Sequence, residues 1–176
     1  DAAVIGGTAT GSATETNAVQ TITGALSITD VDSAARFASI SGVAGNNGYG
    51  AFSMDTAGAW TYVMGSAQDS FVGGQVYTDS TTVQAADGTT QAITVSITGA
   101  NDAAVIGGTA TGSATESNAV QTISGALSIT DVDSAVRFDS ISGVVGSNGY
   151  GAFSMDTAGA WTYVMGSAQD SFVGGQ

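Results

Sequence analysis

The residues with the most chemical potential in this sequence are aspartates. Asp30-Val31-Asp32-Ser33 returns unchanged as Asp131-Val132-Asp133-Ser134. In an extended segment, side chains i and i+2 lie on one side, so both carboxylates of each pair can meet one ion. Calcium takes about six to eight oxygens from carboxylates, backbone carbonyls and water, and glycine- and serine-rich turns supply such carbonyls. The competing reading is local: Asp is common in turns because its carboxylate accepts hydrogen bonds from nearby backbone N–H groups. Turn capping is the preferred reading for Asp55, Asp69, Asp79 and Asp87. Calcium is preferred for the Asp-x-Asp pairs, since only two cationic side chains, Arg36 and Arg137, face 15 acidic residues. There is no EF-hand loop and no Gly-Gly-x-Gly-x-Asp repeat, so a site built here is irregular.

Other chemistry has little to work with. The chain has no histidine, lysine or cysteine, which removes the usual general base and two of the usual nucleophiles, and no phosphate-cradling loop is present. Paired carboxylates can hydrolyse glycosides, but nearly identical sites repeated along a chain suit structure better than catalysis. The expectation is a non-enzyme. A formal net charge of −13 argues against nucleic acid or an anionic membrane as partner and favours cations. No apolar run approaches the roughly 18 residues of a membrane span, so membrane insertion is not expected.

The elements that must position these carboxylates come as a repeat. Asp1 to Gln75 recurs as Asp102 to Gln176 at an offset of 101, with six differences: Thr16/Ser117, Thr23/Ser124, Ala35/Val136, Ala38/Asp139, Ala44/Val145 and Asn46/Ser147. That period is too long for a solenoid rung and suits one small domain per copy. The domains are read as 1–101 and 102–176, the second truncated before its last two strands, because nothing after Gln176 matches Val76 to Asn101. Two expectations follow: either the sequence is a window on a longer chain, or a neighbouring molecule donates strands.

Within one copy, period-2 patterns rich in Val, Ile, Thr, Phe and Tyr predict strands, and Gly/Asn/Asp clusters predict turns. Strands are expected at Ala3–Ile5, Thr8–Thr14, Val19–Ile28, Phe37–Val43, Tyr49–Met54, Ala59–Met64, Val76–Ala85 and Gln91–Thr98, with Ser66–Gly74 as a loop or a single helical turn. Seven or eight short, regularly spaced strands predict a Greek-key β-sandwich. Trp60 and Trp161 read as core rather than as sugar-stacking platforms, and Arg36 and Arg137 as ion-pair or carbonyl partners of the nearby Asp-x-Asp turns. Thr8-Ala9-Thr10 and Thr21-Ile22-Thr23 reflect β-propensity rather than an ice- or polysaccharide-binding surface.

An ordered set of segments carries a family resemblance: Gly50-Ala51-Phe52-Ser53, Gly58-Ala59-Trp60-Thr61-Tyr62, Asp79-Ser80, Asp87-Gly88-Thr89 and Ile93 through Asp102. Over the whole repeat this resembles the VCBS repeat, a cadherin-like bacterial module found in tandem in giant secreted adhesins of the repeats-in-toxin type. The resemblance implies tandem immunoglobulin- or cadherin-like all-β sandwiches, type I secretion, an extracellular or bacterial cell-surface location, and calcium-stiffened extender arrays in biofilm or surface attachment. One departure is Ala103, where family members often carry proline after the Asn-Asp junction; proline would have fixed φ there. By the same resemblance the metal ligands are Asp30, Asp32, Asn101, Asp102, Glu116, Asp131 and Asp133, with a Ca2+ site at the junction on Asn101 and Asp102, assisted by Asp131, Asp133 or Glu116. Without calcium the clustered acids repel across the junction and the array flexes; with calcium they are bridged. The expected function is a structural extender of an adhesin or surface fibre. Its partners are neighbouring repeats of the same chain or other copies in a fibre. The alternatives are a fibre subunit completed by strand donation, and a polysaccharide-binding adhesion module.

Overall fold

A computed structural model of the chain describes residues 1–169. They divide into two compact units, Asp1–Asp102 and Ala103–Gln176, and among the described residues every regular element is a strand.

The first unit holds β1 (Val4–Gly7), β2 (Thr10–Thr14), β3 (Thr21–Thr29), β4 (Ile40–Ala44), β5 (Gly50–Met54), β6 (Ala59–Met64), β7 (Val76–Gln84) and β8 (Thr90–Thr98). One sheet runs β1-β3-β6-β5-β4 and the other β2-β8-β7. The alternation read from the sequence decides which side chains meet between them. From β6, Trp60, Tyr62 and Met64 are buried while Ala59, Thr61 and Val63 are exposed. From β8, Ile93, Val95 and Ile97 are fully buried. Phe52 and Met54 of β5, Ile22 and Leu26 of β3, and Val83 of β7 complete the core. Each large side chain removed from water in this way stabilises the fold by about 1.5–3 kcal/mol. The result is an all-β, sandwich-like unit.

The strand edges differ from expectation at two instructive places. Phe37 does not begin β4. It forms an isolated bridge with Ala85 and is 2 % exposed, so this residue serves the core at the end of the other sheet, and β4 starts only at Ile40. Ser66–Gly74 contains turns and bends and no helical turn. Within β4 a bulge separates Ile40 from Val43; Gly42 sits there at φ 62, a left-handed conformation that glycine adopts without a Cβ penalty, and its N–H donates to Ser53 Oγ.

The second unit repeats one of these two sheets. Its strands are β9 (Val105–Gly108), β10 (Thr122–Thr130), β11 (Ile141–Val145), β12 (Gly151–Met155) and β13 (Ala160–Met165), in the order β11-β12-β13-β10-β9. Residues 111–115, the counterpart of β2, form no strand. In the first unit β2 is held by parallel pairing along its whole length to β8, from Thr10↔Thr94 to Thr14↔Thr98, and this sequence has no second copy of β8.

Candidate functional site

The Asp-x-Asp segments are turns rather than extended chain. Asp30 Oδ1 accepts the N–H groups of Asp32 (3.1 Å) and Ser33 (2.9 Å). Asp131 Oδ1 does the same for Asp133 (3.1 Å) and Ser134 (2.9 Å). Two forward hydrogen bonds to an ionised acceptor favour the charged form; both carboxyls therefore titrate below the usual aspartate range, the N–H of Asp32 or Asp133 being the largest cause. Capping leaves the second oxygen of Asp30 without a hydrogen-bond partner. In the second unit Asp133 is buried, and its Oδ2 is likewise unpartnered. Asp32 Oδ2 accepts from the Asp1 amino group.

Asp87 works at the same end of the first unit. Its Oδ2 accepts the Ala3 N–H (2.7 Å) and the Thr89 hydroxyl (2.7 Å), and its Oδ1 the Thr89 N–H (2.9 Å). The Ala3 N–H is the largest of the effects that bring its pKa down to about 2. This carboxylate thus caps its own β7–β8 turn and ties down the chain entering β1.

The opposite end holds Glu15, Asn101 and Asp102. Parallel pairing of β2 with β8 carries Glu15 beside the end of β8, where its N–H donates to the Thr98 carbonyl (2.7 Å). The Glu15 side chain is 2 % exposed. Its Oε2 accepts the Ala100 N–H at 3.3 Å, and its Oε1 is buried with no hydrogen-bond partner. Asn101 Nδ2 donates to the Asp102 carbonyl (2.6 Å), and Asp102 Oδ2 is also buried without a partner. A carboxylate taken out of water without full pairing is costly. The orphaned oxygens of Glu15 and Asp102 are hard donors of the kind calcium takes. Glu116, the counterpart of Glu15, lies exposed in a segment without strand structure. Among the described residues no three acidic side chains are gathered closely enough to hold a metal by themselves. Of the two equivalent glutamates the sequence pointed to Glu116 as the ligand; the parallel β2–β8 pairing, present beside Glu15, is what buries Glu15 instead.

One carboxylate is purely internal. Asp79 in β7 is 0 % exposed and accepts Asn47 N–H (2.9 Å), Tyr49 N–H (3.1 Å) and the Tyr62 hydroxyl (2.9 Å). It caps the Asn46–Tyr49 turn from across the sandwich. Burial first, then the bond to Asp79, pushes the Tyr62 phenol far above its ordinary value. Asp55 caps its own hairpin turn through the N–H groups of Ala57 and Ala59, both 2.9 Å.

Trp60 is 1 % exposed and its Nε1–H donates to the Thr8 carbonyl at 2.8 Å, which is a core role. Trp161 Nε1–H repeats the bond to Thr109 at 2.7 Å. Arg36 and Arg137 are exposed and form no salt bridge among the described residues, so the expected pairing with the Asp-x-Asp turns is not seen. No family model matches the sequence, and no curated protein is significantly similar to it.

Proposed function

We propose that this chain is a non-catalytic spacer of the VCBS type from an extracellular bacterial adhesin or surface fibre, stiffened by calcium at its inter-repeat junctions. The observation that carries the reading is Glu15, a buried carboxylate with one orphaned oxygen at the point where the chain leaves the first unit through Ala100, Asn101 and Asp102. Bound there, calcium neutralises charge that the protein leaves unpaired.

The protein's own residues do the rest. β2 and β8 fix Glu15 against the exit segment. Asp30 and Asp131 hold their turns by backbone capping, which orients Asp32 and Asp133. Near-identical copies suit length rather than a single recognition event. Calorimetric titration of the chain with calcium tests the reading. Saturable binding with a Kd of about 10⁻⁴–10⁻³ M, the range of extracellular modules, supports it. A flat titration from millimolar calcium contradicts it.

A further inference from the structure

Within the first unit the chain enters and leaves at opposite ends of one strand. Ala3 donates its N–H to Asp87 Oδ2 (2.7 Å), in the turn that opens β8, and the exit runs through Gly99 and Ala100 once Thr98 has closed that strand. The nine residues of β8 put the two points about 26 Å apart at the rise of a strand. Between them the entering segment runs beside β8 in the same direction. It pairs first with β3 of one sheet, from Val4↔Thr29 to Gly7↔Leu26, and then with β8 of the other, from Thr10↔Thr94 to Thr14↔Thr98. Gly7 makes the crossing between sheets at φ 83, where a β-carbon would stand 2.5 Å from the Ala25 carbonyl oxygen.

We infer that the first unit is a tension clamp in which the parallel β2–β8 ladder takes the force drawn along the chain. This rests on the spacer reading only in taking tension as the load, and calcium has no part in it. Pulled at entry and exit, β2 is drawn toward the Asp87 end and β8 toward the Glu15 end. Bonds between strands run across them, so force along the strands loads the whole ladder together instead of opening it bond by bond. The ladder extends from Thr94 N–H to Ala9 O (3.0 Å) as far as Glu15 N–H to Thr98 O (2.7 Å).

A sheared ladder holds only when its strands cannot be peeled from an end, and the exit end is fastened on both sides. From the β2 side, Glu15 Oε2 accepts the Ala100 N–H (3.3 Å). From the β7 side, Gly74 N–H donates to Gly99 O (2.8 Å) and Gly99 N–H to Gln75 O (2.9 Å). This closeness excludes a side chain at position 99, where a β-carbon would fall 2.4 Å from the Val72 carbonyl oxygen. The loop that does the fastening is itself anchored to β7. Phe71, 5 % exposed, stacks on Tyr77 with ring centres 3.8 Å apart, and the Tyr77 hydroxyl accepts the Val72 N–H (3.0 Å).

The test is single-molecule pulling on the full chain in excess chelator, so that the outcome is independent of calcium. The chain has no cysteine, and the exposed positions Ala2, Asn17 and Ala103 become unique handles when changed to cysteine in pairs. Ala2→Cys with Ala103→Cys pulls β2 and β8 in shear. Asn17→Cys with Ala103→Cys pulls the same two strands apart from the end they share. The shear pair ruptures at about twice the force of the peeling pair or more, since evenly spaced bonds loaded together must break together. Both pairs keep the same urea midpoint, because forced rupture follows the unfolding barrier and not the equilibrium stability. Adding Gly99→Ala, which loosens the exit from its loop, lowers the shear force and leaves the peeling force unchanged. Equal rupture forces for the two handle pairs would overturn the proposal, as would a shear force indifferent to Gly99→Ala.

Discussion

Gly45 lies directly against the buried carboxylate of Asp79, so close that any β-carbon at position 45 would stand 2.1 Å from Asp79 Oδ1. The two residues are 34 positions apart: Gly45 directly follows β4 of one sheet, and Asp79 lies in β7 of the other. Their contact locks the Asn46–Tyr49 turn onto β7, with the backbone bonds Asn46 N–H to Ser80 O (2.9 Å) and Gly45 N–H to Gly50 O (2.9 Å) on either side.

The repeat supplies an internal control for this contact. Gly45→Ala destabilises the first unit by about 2–3 kcal/mol, the usual cost of overpacking, whereas Gly146→Ala changes the second by less than about 1 kcal/mol. Hydrogen exchange resolved by residue measures the two units in the same sample. Equal effects at both positions would show that the Asp79 contact is not what excludes a side chain.

Removing the carboxylate is worse than removing one donor. Asp79→Ala strands the Asn47 and Tyr49 N–H groups and the Tyr62 hydroxyl, and a buried donor left unsatisfied costs about 1–3 kcal/mol. Tyr62→Phe deletes a single bond to a charged acceptor and costs about 1.5–3 kcal/mol. Urea unfolding of both variants is expected to rank Asp79→Ala as the more damaging.

Acid stability follows from Asp87, Asp30 and Asp131. Each has a folded pKa below its ordinary value of 3.8, Asp87 at about 2. A depressed carboxylate contributes stability that is fully present above its unfolded pKa and is lost as pH falls through the folded one. Stability is therefore level above about pH 5 and declines between about pH 4 and 2. Asp87→Asn shallows that decline in the first unit. A pH series of denaturant midpoints measures it, and an unchanged slope would count against the tie between Asp87 and Ala3.

Much of the fold was legible because strand alternation is local. The β5–β6 hairpin, with Phe52, Trp60 and Tyr62 inward, was readable from period-2 pattern and from Asp55-Thr56-Ala57-Gly58. The Asp-x-Asp turns were recognisable as carboxylate sites, though their backbone capping makes them bends and not extended chain. What stayed hidden depends on distant partners. Glu15 reaches Ala100 across 85 residues only because β2 runs parallel to β8, and nothing in a segment of small residues such as Thr10–Thr14 announces a parallel partner. Asp79 reads as a turn cap, which it is, but the turn it caps belongs to another strand pair.

Glu15 also separates a ligand from a merely structural acid. If its orphaned oxygen is a calcium ligand, Glu15→Gln relieves unpaired buried charge and leaves the chelated protein at least as stable as the unaltered chain. If its bond to Ala100 is the whole of its role, the Gln amide oxygen still accepts that N–H and calcium raises the melting temperature of neither protein. Melting with calcium and with chelator distinguishes the two.

Thermal melting of the full chain with 10 mM calcium chloride against excess chelator reads calcium binding at the junction. For a site with a Kd of about 10⁻⁴ M, this calcium concentration adds about 2.7 kcal/mol, which raises Tm by on the order of 10 °C in a unit of this size. That rise is expected in the unaltered chain and is lost in Glu15→Gln. Superimposable melting curves with calcium and with chelator would rule out calcium binding at the junction.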